Sequence, residues 1–438
     1  MDDLAQQRRT EVRELSRLAL AELGDATAGI AKVHSAFSEH IFAGLRLGLG
    51  DFVTPSKILH DSIAAGTYSV ITAVCDTASE IAGQTADGWG RPPSQTSKGA
   101  FAIAAVNGLI GDHLDAQGSP LAEGMTIRVD GVPIAPTRGD LAEAFPRATG
   151  RIVVFLHGLM ETELAWRIGG RPTYGQRLGD DLAATEVQVR FNTGRHISEN
   201  GRELDDLLSE VVANWPLPVD EIALVGHSMG GLVVRSGCFR AATDGHEWVT
   251  RVRHVVSLGT PHLGAPMARS VHYLSAALDK LPESRPFARL LRRRSAGVRD
   301  LFHGSLVDED WSGRDLDALR VAAVQEVPLL EGATHCFVSA SVTRNPRHPL
   351  GRIIGDGLVL VPSANGRDKK RHIGFRDEDG FAITAANHFT LLNHDEVYDW
   401  LLARLDTSPG TPMPRQLTAG ASAGPGAVRP PSSDLGRC

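Results

Sequence analysis

From about Met125 onward the sequence alternates short apolar runs with longer segments of helical composition, and this alternation limits the fold more than any single motif. RIVVFL (151–156) is apolar almost throughout, as a strand buried on both faces of a parallel sheet must be. Ahead of it, TIRVDGVPI (126–134) alternates apolar and polar residues around Asp130-Gly131, the pattern of two strands meeting at a hairpin. A helical stretch through Leu182 precedes VQVRF (187–191). Asn200 with Glu203 then reads as a cap for the helix RELDDLLSEVVANW. IALVG (222–226), a small-residue helix GGLVVRSGCF, RVRHVVSLG (251–259) and CFVSASV (336–342) continue the series. The spacing predicts an α/β protein: a mostly parallel sheet with helices on both faces.

Residues 1–120 follow another grammar. Leu4, Val12, Leu15 and Leu18 recur at near-helical intervals among charges, and Thr54-Pro55 opens a second helical segment through Ile81. Residues 83–97 carry loop chemistry. These helices could form a separate cap, a surface joining two copies of the chain, or packing for the following domain. The α/β domain is expected over 121–406, with 267–331 long enough for a cap or lid. Leu274, Leu278, Leu281, Leu290 and Leu291 suit a lid and a helix packed on the sheet equally. Beyond residue 406, Pro, Gly, Ala and Ser dominate, and so little apolar surface cannot offset the entropy of ordering.

The charge balance excludes one class of partner. A net charge of −7 leaves no electrostatic footprint for nucleic acid, and the basic cluster at Arg289 and Arg292–Arg294 reads as a solvated helix face. No uncharged run is long enough to span a bilayer, and the first residues lack the apolar core of a signal peptide. Cys75, Cys238, Cys336 and Cys438 are widely spaced and read as free thiols, which points to a reducing, cytoplasmic setting. No metal-binding motif is present.

Two pentapeptides fit Gly-x-Ser-x-Gly: GHSMG (226–230) and GASAG (420–424). In a chain with 46 Gly the bare pattern is expected about a third of a time by chance, so context must decide. Ser422 lies in the Pro/Gly-rich tail with neither strand nor helix around it. Ser228 follows the IALV strand and precedes the LVV helix, with Gly226 and Gly230 two residues to either side. That is how a serine is presented on a tight strand–helix turn, where small neighbours relieve the crowding.

Acyl transfer also needs amide donors for the oxyanion and a base with its acid. Met229, after the serine, supplies one N–H. FLHGLM (155–160) ends the RIVV strand and offers Leu159, with Met160 as the alternative. Among 17 His, His388 lies in a loop between the strand GFAIT (380–384) and an amphipathic helix, whereas His394 falls inside that helix. His157 and His227 adjoin the site in supporting positions. Asp356, in the turn GDG (355–357), is favoured as the acid over Asp377 and Asp379, which lie close to His388 in sequence.

Taken together, FLHGLM, LVGHSMGGLVVR, SLGTPHLGAP (257–266), GDGLVLVPSA and NHFTLLNHDEVYDWL resemble the α/β-hydrolase superfamily, within it the bacterial lipases and esterases related to GPI-inositol deacylases. The motifs fall in order over roughly residues 125–405. The resemblance implies an eight-stranded sheet, nucleophile Ser228, acid Asp356, base His388, oxyanion donors Leu159 and Met229, and hydrolysis of a small-molecule or lipid ester without a cofactor. Thioester or amide hydrolysis by the same constellation, and an inactive hydrolase-fold binding protein, are the alternatives.

Overall fold

The computed structural model describes residues 2–25, 90–265, 295–314, 324–344, 355–369 and 371–406. The helix expected over 54–81, the leucines between 274 and 291, Cys75, Cys438 and the tail beyond 406 lie outside these residues. An eight-stranded sheet forms the centre: β1 (Thr126–Val129), β2 (Val132–Ile134), β3 (Arg151–Leu156), β4 (Thr185–Arg190), β5 (Glu221–His227), β6 (Val252–Leu258), β7 (Thr334–Ser341) and β8 (Gly380–Thr384). Their spatial order is β2-β1-β4-β3-β5-β6-β7-β8. β3 to β8 pair in parallel, while β1 runs antiparallel to both β2 and β4. The hairpin between β1 and β2 turns at Asp130 and Gly131, both with positive φ (49° and 82°), the conformation its two-residue turn requires.

β3 shows why its sequence is apolar throughout. Successive side chains point to opposite faces, so Ile152, Val154 and Leu156 enter one core with Val187, Leu204, Leu208 and Val233. Val153 and Phe155 enter the other, with Trp166, Tyr174, Leu178, Val397 and Leu401. Each fully buried aliphatic or aromatic side chain contributes about 1.5–3 kcal/mol.

The helices supply the two outer layers. α1 (Asp2–Asp25) and α2 (Ser97–Ala116) precede the sheet; α3 (Tyr174–Leu182), α4 (Ile197–Asn214), α5 (Met229–Asp244), α6 (Ala296–His303) and α7 (Asp395–Leu405) follow in order. α4 is capped four residues earlier than expected, at His196 rather than Asn200. Glu199 returns a hydrogen bond to the His196 N–H, and Asn200 is buried inside the helix donating to the Asn192 carbonyl. α4 and α5 approach closely where Gly201 faces Ser236: a Cβ on Gly201 would lie 2.3 Å from Ser236 Oγ.

Residues 97–116 pack against the sheet domain. Asn192 Nδ2 donates to the Gly111 carbonyl, and Gly108 lies against the Met160 side chain with no room for a Cβ. α1 docks through Leu15, buried with Ala102, Ile103 and Leu121, and through Glu11, which accepts from both the amide and the hydroxyl of Ser94. Within the expected lid, α6 is fastened rather than free. Ser295 donates to the Gly108 carbonyl, the Ala296 N–H to Asp112, and the Ile197 N–H to Asp300.

One buried ion-pair network ties the hairpin to the core. Arg190 makes two hydrogen bonds to Glu163, at 2.6 and 2.7 Å, while Glu123 bridges Arg190 and Arg128. Each guanidinium thereby finds the carboxylate that burial demands. Among the described residues no helix is long and apolar enough to cross a membrane.

Candidate active site

The parallel strands β3 to β8 end on one edge of the sheet, the edge where open α/β sheets bind ligands. Ser228 stands at the end of β5 with φ 52° and ψ −119°, a conformation that costs an L-residue energy and persists because the turn fixes it. Its N–H donates to the Leu258 carbonyl at 2.8 Å, and its own carbonyl accepts from Gly231. The flanking glycines are a steric necessity. A Cβ on Gly226 would come 2.4 Å from the Gly231 nitrogen, and one on Gly230 would come 2.5 Å from the Leu156 carbonyl oxygen.

Asp356 and His388 both hang from the end of β7. The Val342 N–H donates to the Gly355 carbonyl, and the Ala386 N–H to the Ser341 carbonyl. Gly355, at φ 60°, makes the turn that brings Asp356 inward. The apolar run after it is not a strand; it leads directly into a helical turn, Val361–Ala364. Asp356 Oδ1 accepts from the amides of Leu358 and Val359, leaving Oδ2 for His388 Nδ1 at 2.7 Å. Both side chains are almost fully buried. His388 opens a 3-10 turn (His388–Leu392) capped by Asn387, and its ring lies over Gly259: a Cβ there would be 3.1 Å from His388 Cε1. Gly259 directly follows Leu258, the acceptor of the Ser228 N–H, so serine and imidazole each lie against the same end of β6. Among the described residues neither Ser228 Oγ nor His388 Nε2 has a hydrogen-bond partner.

Burial disfavours the His388 cation, but the adjacent Asp356 carboxylate outweighs it and raises the imidazole above its ordinary value. His157 is the opposite case. It is fully buried, stacked on Phe191 and pushed down to about 4, so it is a neutral imidazole that donates to the Gly158 carbonyl and accepts from the Phe191 N–H.

The loop after β3 brings Gly158 against the serine, a Cβ there being 3.0 Å from Ser228 Cβ. The Leu159 and Met229 amides have no hydrogen-bond partner among the described residues. The Met160 N–H, the alternative donor, is committed to Thr193 Oγ1 at 3.2 Å.

The competing residues are placed elsewhere. His394 is not inside α7 but is its N-cap, accepting from the Glu396 N–H. Asp379 is buried between Arg376 and Arg404, and exposed Asp377 pairs with Arg367. Cys238 and Cys336 are free and buried, and burial pushes both thiols up to about 12. A site neighbour that the sequence reading missed is Glu161, whose carboxylate contacts both the Gly158 N–H and His227. Nothing in the letters HGLMET separates it from an ordinary loop glutamate.

An eight-stranded, mostly parallel sheet with a strained serine at the end of its fifth strand and flanking helices is the α/β-hydrolase fold. Residues 183–312 match the family model described as PGAP1-like alpha/beta domain, which spans less than a third of the chain. No curated protein matches the sequence. Among solved structures the chain is similar to the Bacillus licheniformis lipase BlEst2 in mature form, with 17% identity and a TM-score of 0.38, covering 57% of this chain and 91% of that one. It is also similar to the RedJ thioesterase of prodiginine biosynthesis from Streptomyces coelicolor, with 20% identity and a TM-score of 0.31 over 59% and 91% of the two chains. A third is the naproxen esterase of Bacillus subtilis, with 13% identity and a TM-score of 0.32 over 57% and 82%.

Proposed function

We propose that the protein is a serine hydrolase of carboxylic esters, with Ser228 as nucleophile, His388 as base, Asp356 as acid, and the Leu159 and Met229 amides as oxyanion donors. The observation that carries this reading is the buried Asp356–His388 pair, 2.7 Å apart, beside a serine held at positive φ on a strand–helix turn. A serine alone on such a turn is a poor nucleophile, and an Asp–His pair alone is a common structural contact. Side by side they form an activating relay.

In the first half-reaction Ser228 Oγ bonds to the ester carbonyl carbon while His388 Nε2 takes the hydroxyl proton. Asp356 stabilises the resulting imidazolium, and two amide N–H groups receive the oxyanion. The carbon–alkoxide bond breaks, and the alcohol leaves with the proton from His388. Water then attacks the acyl-enzyme with His388 again as base, releasing the acid and regenerating Ser228. The Ser228–His388 hydrogen bond forms with substrate in place, as such contacts commonly tighten on binding. Phe389, exposed beside His388, offers an apolar surface to the substrate.

Ser228→Ala is expected to abolish turnover of p-nitrophenyl esters and labelling by a fluorophosphonate probe. Labelling that persists in the folded variant rejects the nucleophile. A chain-length series with tributyrin emulsion, run beside matched thioester and amide substrates, assigns the acyl group and separates esterase from thioesterase and amidase.

A further inference from the structure

We propose that Glu161 and His227 form a second acid–imidazole pair that positions the oxyanion loop and the base loop together. The proposal rests on the reading of Ser228, His388 and Asp356 given above. Neither residue touches the reacting atoms, so both are positioning residues.

Glu161 Oε2 is a shared acceptor. It takes the Gly158 N–H at 2.7 Å and His227 Nδ1 at 3.0 Å. The first contact closes the turn that presents the Leu159 amide. The second reaches the residue immediately before Ser228. The other His227 nitrogen, Nε2, lies 3.3 Å from the carbonyl oxygen of His388, and the two imidazoles are 4.7 Å apart. One chain of contacts thus runs from the oxyanion loop through the serine turn to the base. Its members are well sequestered: the His227 side chain is fully buried and that of Glu161 is 11% exposed. Trp166 closes the far side of His227 edge-on at 6.3 Å.

The chemistry of the contacts fixes their polarity. Burial alone would protonate Glu161, but His227 and the Gly158 N–H outweigh it and hold the carboxyl below its ordinary range. An ionised Glu161 can only accept, so Nδ1 of His227 carries a proton. The other ring nitrogen lies 3.3 Å from the His388 carbonyl oxygen. Without the Nδ1 donor the Glu161 carboxylate would stand beside the Gly158–Leu159 turn with one partner fewer, where it would repel the negative charge that develops on the substrate oxygen.

The test compares Glu161→Gln, His227→Asn and the double variant in the full-length protein. Glu161→Gln keeps an acceptor for the Gly158 N–H while removing the charge that holds His227. The readouts are kcat and KM on a p-nitrophenyl ester, the rate of fluorophosphonate labelling, and thermal melting. Each single variant is expected to lose about 10- to 100-fold in kcat with KM within about twofold, and labelling slows in parallel. The double variant loses no more than the worse single one, because the pair acts as a unit. Single variants with near-normal kcat overturn the proposal. So do losses that multiply in the double variant, or a lowered melting temperature with kcat intact. If Glu161→Gln does not fold, His227→Asn decides by the same kcat criterion. Ser228→Ala separates the two readings: labelling lost there but normal in Glu161→Gln rejects the pair alone, whereas labelling retained in Ser228→Ala rejects the underlying hydrolase reading.

Discussion

Asp356 holds His388 at two points: its carbonyl oxygen accepts the His388 N–H at 3.0 Å, and its carboxylate lies 2.7 Å from Nδ1 of the same residue. The backbone contact fixes where the imidazole sits, and the carboxylate fixes which nitrogen carries the proton. The two roles can be separated by mutation.

Asp356→Asn retains the backbone contact. The amides of Leu358 and Val359 already claim one side-chain oxygen, so the new amide oxygen stays with them and its NH2 faces His388 Nδ1. Nδ1 must then accept, which puts the ring proton on Nε2, where the serine proton has to go. A fall of about 10^4-fold in kcat with little change in melting temperature is expected. Steady-state ester hydrolysis beside a thermal melt checks it, and a loss smaller than about tenfold removes Asp356 from the relay.

The pH dependence follows from the raised imidazole. Attack requires neutral His388, so kcat/KM should climb through an acid limb whose midpoint lies above 6.5. Stability runs the other way. A histidine raised on folding contributes stability that is fully present below about 6.5 and is lost as pH rises through the folded value. Between those points activity rises while this contribution falls. A pH–rate profile paired with urea unfolding across the same range tests both signs, and Asp356→Asn should move the activity midpoint down.

Gly230→Ala probes the elbow itself. Its Cβ would sit 2.5 Å from the Leu156 carbonyl oxygen and 2.6 Å from that of His157, both backbone atoms with little freedom to retreat. The expected cost is about 1–3 kcal/mol in urea unfolding. Activity should fall further than that loss of stability explains, because the displaced backbone carries the residues leading to Leu159. Wild-type kcat in this variant would show that the turn tolerates a shift.

Much of the architecture is legible in the sequence. β3, β8 and the hairpin at Asp130-Gly131 coincide with RIVVFL, GFAIT and TIRVDGVPI, because continuous apolar runs and period-two alternation are direct consequences of burial on two faces or one. The start of α4 was less legible. His196 is a rarer cap than Asn200, and it is chosen because Asp300, some hundred residues later, meets His196 Nδ1 and the Ile197 N–H. The same limit applies to His394, whose position at the helix N-cap is accompanied by a contact between its own N–H and the Tyr174 hydroxyl.

Sequence alone determined the strands, the glycine-flanked serine and the order in which acid and histidine follow it, since each is written in neighbouring residues whose spacing is set by backbone geometry. Tertiary structure decided which histidine meets which carboxylate. It turned Asp379 to two arginines and Asp356 to His388, committed the Met160 amide to Thr193 while leaving Leu159 open, and brought Glu161 to His227. Those choices depend on polar groups separated by tens to hundreds of residues satisfying one another in a space without water, and no local pattern encodes that.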